Sequence, residues 1–137
     1  MTGQGGEFSW PVRVYYEDTD AGGVVYHASY LHFLERARTE WLRALVGNQQ
    51  AIRDTHGVVF VIRHISVRFK SPARLDQQLT VTARPVTIGR AGFAMAQTIV
   101  RGDDLLLEAD VSAACVRATD FRPVRMPESV ATALRQQ

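Results

Sequence analysis

The chain predicts an α+β domain in which an antiparallel sheet wraps one long α-helix, and three observations carry that prediction. One apolar arc at helical spacing runs from about Tyr26 or His27 to Val46. Beyond it, several stretches alternate apolar and polar residues and are separated by short turn signals. One more alternating stretch precedes the helix. At 137 residues, with 46% hydrophobic and 22% charged residues, residues 1–137 read as a single domain around one core, without internal repeats.

Residues 1–8 are Gly-rich and expected to be flexible. Trp10 to Tyr16 alternates, with Val12, Val14 and Tyr16 on one side, and reads as a strand. Glu17 to Val25 reads as a loop. In the helix that follows, Tyr30, Phe33, Leu34, Ala37, Trp41 and Leu45 form the apolar arc, widened by Leu31 and Leu42, and Gly47-Asn48 stops it. Its ~20 residues span roughly 30 Å, a length that needs a broad sheet to cover it.

A helical turn over Gln49 to Thr55 is expected to end at Gly57. Val58 to Phe69 reads as a long strand whose apolar phase changes: Val58, Phe60 and Ile62 are even, Ile65, Val67 and Phe69 odd. That switch predicts a bulge near Arg63-His64. Leu79 to Val86, Phe93 to Arg101 and Leu105 to Arg117 supply three more strands, with turns at Ile88 to Gly92 and at Gly102-Asp103-Asp104. The later strands read as a meander joined by short turns, and Glu128 to Leu134 as a closing helical turn.

The net charge is only +2, and the arginines are scattered without a run, so a nucleic-acid footprint is not indicated. Cys115 is the sole cysteine, which excludes an internal disulfide and a cysteine metal cluster. The first residues lack the pattern of a signal peptide, and no apolar run reaches the ~18–20 residues that cross a bilayer. A soluble cytosolic protein is expected.

The chemistry concentrates between Tyr15 and Tyr30. Asp20 lies in a loop containing Gly22-Gly23 that feeds the long helix, and His27 follows at the helix start. Helix-start amides have no intrahelical acceptor and carry the positive end of the dipole. A carboxylate beside such amides can attack, or activate water against, an acyl carbon whose oxygen the amides hold. The plainer reading is that Asp18, Thr19 or Asp20 shapes the turn or caps the helix. Against simple capping, Asp20 precedes the helix by about six residues.

A calcium loop starting at Asp18-x-Asp20 fails, because Gly22 and Ser29 stand where ligands belong. His27 alternatively is a partly buried structural histidine; His27 with His32 makes no zinc spacing, and His56 and His64 have no chemical company. No nucleophile elbow or phosphate loop is present, and Cys115 reads as a small apolar strand residue. Arg90, between glycines on a turn, is a candidate phosphate ligand or an ordinary solvated arginine, and Lys70 has the same status. Arg38 is expected to snorkel or to pair with Glu35.

The run Val14-Tyr-Tyr-Glu-Asp-Thr-Asp-Ala-Gly-Gly-Val-Val-Tyr-His-Ala-Ser-Tyr, followed by Phe33-Leu-Glu-Arg-Ala-Arg-Thr-Glu, resembles the motif of hot-dog-fold acyl-CoA thioesterases of the 4-hydroxybenzoyl-CoA thioesterase type. The likeness is to its YbgC-type branch, associated with the bacterial Tol–Pal system. It extends through Arg68 to Asp76, Leu107 to Val111 and Pro127-Glu-Ser, nearly the whole chain.

This resemblance implies a hot-dog fold and dimers that often form tetramers, with active sites at the dimer interface. It places Asp20 on the family's catalytic aspartate, His27 on the histidine of that branch and Tyr16 on a pocket tyrosine. Tyr26, Arg90 and Lys70 become candidate substrate and coenzyme A contacts. The expected reaction is hydrolysis of an acyl-CoA thioester, with acyl-carrier protein as an alternative carrier. No metal or cofactor is called for, coenzyme A being part of the substrate. The expected location is cytoplasmic, extending to the periphery of the inner membrane. A non-hydrolytic module binding acyl-carrier protein or envelope machinery, and a hot-dog hydratase or dehydratase, are the competing readings.

Overall fold

The computed structural model describes residues 7–136. Strand β1 (Phe8–Arg13) is followed by helices α1 (His27–Leu45) and α2 (Gln49–His56), then by strands β2 (Val58–Phe69), β3 (Gln78–Ile88), β4 (Gly92–Arg101) and β5 (Asp104–Arg117), and last by helix α3 (Glu128–Arg135). All pairings are antiparallel, in the order β1-β3-β4-β5-β2.

Helix α1 forms where its arc predicts, and Tyr30, Phe33, Leu34, Ala37, Trp41 and Leu42 are its buried residues. Leu31, expected to widen the arc, is instead exposed on the single chain, and Leu45 is half-buried. Inward side chains of the sheet complete two apolar groups. One gathers Tyr30, Phe33, Val14, Leu79 and Ile99 near the start of α1; the other gathers Trp41, Phe60, Phe93 and Met126 near its end. Truncating a buried ring such as Phe33 to alanine would cost about 3–5 kcal/mol.

The stop signals act as their chemistry predicts. Helix α1 ends at Leu45, just before Gly47-Asn48, and Gly57 ends α2 in the left-handed region at φ 71°; Asn48 has a second role that was not expected, starting α2 by accepting the Ala51 N–H at 2.8 Å. Gly92 opens β4 so close to β5 that a Cβ there would lie 2.2 Å from the Ala113 carbonyl oxygen. The expected bulge is present: the β2–β5 register slips between Ile62 and His64, leaving Arg63 extra.

Three expectations need correction. The first strand spans Phe8–Arg13 rather than Trp10 to Tyr16, since Tyr16–Asp18 is a 3-10 turn. Val14 still bonds to the Asp76–Gln77 turn, but the Asp18 carboxylate accepts the Tyr15 N–H at 2.8 Å and bends the chain away from the sheet. Phe8 belongs to that strand, paired with Ala83, so the expectation of flexibility fails there; the rest of that expectation, residues 1–6, lies outside the described residues.

The third concerns the meander, which holds only for β3, β4 and β5. β2 sits at the far edge beside β5, and residues 70–77 cross back to β3. That crossing is pinned where the Lys70 and Ser71 amides donate to the Leu106 carbonyl, at 2.8 and 3.2 Å.

Candidate active site

The loop before α1 is a small β-turn structure held from three sides. Thr19 bridges Val25, and Val24 bridges Arg74. The Val25 N–H donates to the Ala73 carbonyl at 2.9 Å, while the buried Tyr30 hydroxyl accepts the Ala73 N–H at 2.9 Å. The crossing segment and the helix therefore clamp the loop between them.

Within it the two aspartates divide the work. Asp18 is buried, and its carboxylate closes the 3-10 turn. Asp20 is exposed. Its Oδ1 accepts the Gly22 N–H at 2.8 Å, while its backbone closes the turn through Asp20 N–H to Val24 O and Gly23 N–H to Asp20 O. No other partner of the Asp20 carboxylate occurs among the described residues, so Oδ2 is left unpaired on an exposed side chain. The turn-shaping reading of Asp20 is thus correct for one oxygen and leaves the other available.

The helix start is anchored to the same loop, since the Tyr26 N–H donates to the Asp18 carbonyl at 2.8 Å. Tyr26 occupies the N-cap position without a side-chain capping bond, and no acidic residue sits in the first turn of α1. The positive end of the helix is consequently uncompensated from within. His27 is the first helical residue, exposed, its ring 4.4 Å from that of Tyr26. Tyr16 is 82% exposed, at the head of the 3-10 turn. The structure thus brings Asp20, His27, Tyr26 and Tyr16 onto one connected loop-and-helix surface.

Arg90 and Lys70 do not join that cluster of contacts. Arg90 is exposed in the β3–β4 turn, where its carbonyl accepts the Met126 N–H at 2.7 Å and its side chain shares a shallow cleft with Arg125. Lys70 lies 3.6 Å from Glu108, which Arg68 also contacts at 3.6 Å. Burial pushes the Cys115 thiol up, keeping it protonated, in line with its reading as a strand residue.

Two features escape the sequence. Gln97, 1% exposed, donates to the Leu34 and Thr82 carbonyls at 3.1 and 3.2 Å and accepts from Arg38 at 3.0 Å. Arg38 is thus tied to the sheet rather than snorkelling. Burial lowers its guanidinium from the usual range, and the Glu35 carboxylate acts in the opposite direction. The signal for Gln97 was a polar residue at an inward position of β4, between Met95 and Ile99. The second feature is a cleft of about 110 Å³ between α1 and the β2 side of the sheet, with Trp41, Phe60, Phe93 and Ala113 inside and Glu35, Arg38, Thr39 and Ile62 among its walls.

Comparison with known proteins agrees with this architecture. A family model described as the thioesterase-like superfamily matches residues 14–134. The acyl-CoA thioester hydrolase YbgC of Escherichia coli is 45% identical over 130 residues, 94% of this chain and 96% of the relative. The acyl-CoA thioesterase YbgC of Haemophilus influenzae is 44% identical, over 92% of this chain and 93% of the relative. Among solved structures, a probable thioesterase from Bartonella henselae superposes with a TM-score of 0.83 at 37% identity, over 88% of this chain and 99% of the other. The fold is that of the hot-dog thioesterases. The chain belongs to the thioesterase-like superfamily.

Proposed function

We propose that the protein is an acyl-CoA thioester hydrolase in which Asp20 is the reacting carboxylate. The observation that carries this is the Asp20 side chain itself: exposed, with one oxygen held by Gly22 and the other unpaired, in the loop that leads into a helix start without an acidic residue in its first turn. The thioester oxygen would lie against the first amides of α1, which stabilise the charge that develops on it. Asp20 then either attacks the acyl carbon, giving a mixed anhydride that water cleaves, or takes a proton from the water that attacks. In both routes the C–S bond breaks, the acid and the thiol are released, and one water is consumed. His27 orients the water or the substrate at the helix start, and Tyr16 and Tyr26 line the approach.

Similarity to the YbgC relatives supports coenzyme A as carrier, with acyl-carrier protein taking the same place at the thiol end. Arg90 and Lys70 are the candidate phosphate contacts. Because Arg90 lies in the β3–β4 turn and not on the Asp20 loop, the reading includes a homodimer or homotetramer that brings it there from a neighbouring copy. The resemblance likewise supports a cytoplasmic place near the Tol–Pal machinery. Among the described residues no helix is long and apolar enough to cross a membrane.

Asp20→Asn tests the assignment cleanly, because asparagine keeps an oxygen for the Gly22 N–H. Thiol release from acyl-CoA is expected to fall at least ~100-fold with the circular dichroism spectrum unchanged. Retained turnover would remove Asp20 from the chemistry. Double-bond hydration without thiol release would reassign the reaction.

A further inference from the structure

Tyr30 carries a hydroxyl where the packing asks for none. Its ring is buried, at 4% exposure, with the Phe33 ring 6.2 Å and the Phe69 ring 5.5 Å away, both edge to face. Phenylalanine would fill the same space, as it does at position 33, without the cost of drying a polar atom. Among the described residues that hydroxyl makes one hydrogen bond, accepting the N–H of Ala73 at 2.9 Å from 43 positions along the chain.

Ala73 is itself fully buried and belongs to no strand, so its amide has neither water nor a ladder partner to turn to. Both of its backbone groups serve the loop-and-helix junction. The N–H reaches Tyr30 on α1, and the carbonyl accepts the Val25 N–H at 2.9 Å. From Val25 the chain runs through Tyr26 and His27 back to Tyr30. A ring of contacts therefore closes through one residue of the crossing segment. Asp20 hangs from that ring, its own N–H donating to the Val24 carbonyl at 2.9 Å.

We infer that Tyr30 is a positioning residue for the hydrolysis. Through Ala73, its hydroxyl sets the angle between the Asp20 loop and the first amides of α1, and with it the distance from the carboxylate to the place of the thioester oxygen. The inference rests on the hydrolase reading above and adds a residue that acts through others rather than on the acyl group. A displacement of about 1 Å between reacting groups can cost on the order of 100-fold in rate, so one bond that sets their separation has leverage over kcat beyond its own strength. The crossing segment is held from its far side by Arg101, whose Nη1 donates to the Pro72 carbonyl at 3.2 Å and to Gln77 Oε1 at 3.0 Å.

Tyr30→Phe removes one oxygen and keeps the ring. On the best substrate from a panel of short, long and aromatic acyl-CoAs, kcat is expected to fall at least ~10-fold with KM within about twofold of wild type. Deuterium exchange at the Ala73 and Val25 amides should quicken at least ~10-fold, while Met95 and Val111 in the paired strands β4 and β5 keep their protection. In an Asp20→Asn background the same change should cost nothing further, because a group acting through Asp20 has nothing left to position.

Undiminished kcat overturns the inference. So does a loss that multiplies with that of Asp20→Asn, which is what a general loosening of the fold would give. If Tyr30→Phe fails to fold, Arg101→Met carries the test from the other side of the crossing. It is expected to lower kcat about 3-fold, and Arg101→Lys, which keeps a donor for the Pro72 carbonyl, to restore it. Full kcat in Arg101→Met then overturns the inference. A wild-type protein that releases no thiol from any acyl-CoA brings down the hydrolase reading as well, whereas full turnover without the hydroxyl brings down this inference alone.

Discussion

The two edges of the sheet are built very differently. β1 has six residues, places Pro11 where no backbone donor is available, and gives way at once to the 3-10 turn. β2 has twelve residues, carries no proline, and exposes Ile62 and Phe69. Short length and proline are the usual means of blunting an edge against further pairing, and β1 has both, whereas β2 is covered at Phe60, whose N–H donates to Gln49 Oε1 and whose carbonyl accepts from Gln49 Nε2, both at 3.2 Å. β2 also borders the cleft at one end, through Ile62, and the clamp on the Asp20 loop at the other, through the contact of Phe69 with Tyr30. The contrast teaches that one sheet can guard its two edges by different means, brevity and proline on one side and a side chain from the neighbouring helix on the other.

The largest expected effect comes from the longer edge. If the proposed homodimer pairs along β2, Ile62→Asp should yield a monomer by light scattering and lower thiol release by about 100-fold, because it would bury an unpaired carboxylate. A monomer with undiminished turnover would break the link between edge and site. The middle of the sheet should give an intermediate result. Gln97→Leu leaves the Leu34 and Thr82 carbonyls and the Arg38 guanidinium short of a partner, and should cost about 2–3 kcal/mol in denaturant unfolding without changing the assembly mass. The protected edge should respond least. Pro11→Val is expected to shift stability by no more than ~0.5 kcal/mol and leave the mass unchanged; new self-association would show that proline alone keeps that edge closed.

Local patterns carried most of the fold into the sequence. The extent of α1, the stops at Gly47-Asn48 and Gly57, and the bulge at Arg63 all follow from periodicity or side-chain chemistry within a few residues. The position of β2 does not, because pairing with β5 rather than β3 depends on contacts some fifty residues apart, and alternation is blind to the choice of neighbour. The site divides in the same way. Asp20 and His27 are visible because loop glycines and a helix start announce them. The sequence could not say which of Asp18 and Asp20 is the buried brace, since both are turn-forming residues and only the turn back to Tyr15 decides. The cleft was hidden because it forms where α1, β2, β4 and β5 meet, and its members read individually as core.

The bond from Gly22 to one oxygen of Asp20 has a kinetic meaning as well as a structural one. A free carboxylate rotates about its Cβ–Cγ bond, and freezing that rotation during a reaction adds to the barrier. Here the bond from Gly22 restrains that motion as the loop folds, so in the proposed reaction Asp20 would meet its substrate with its orientation already set.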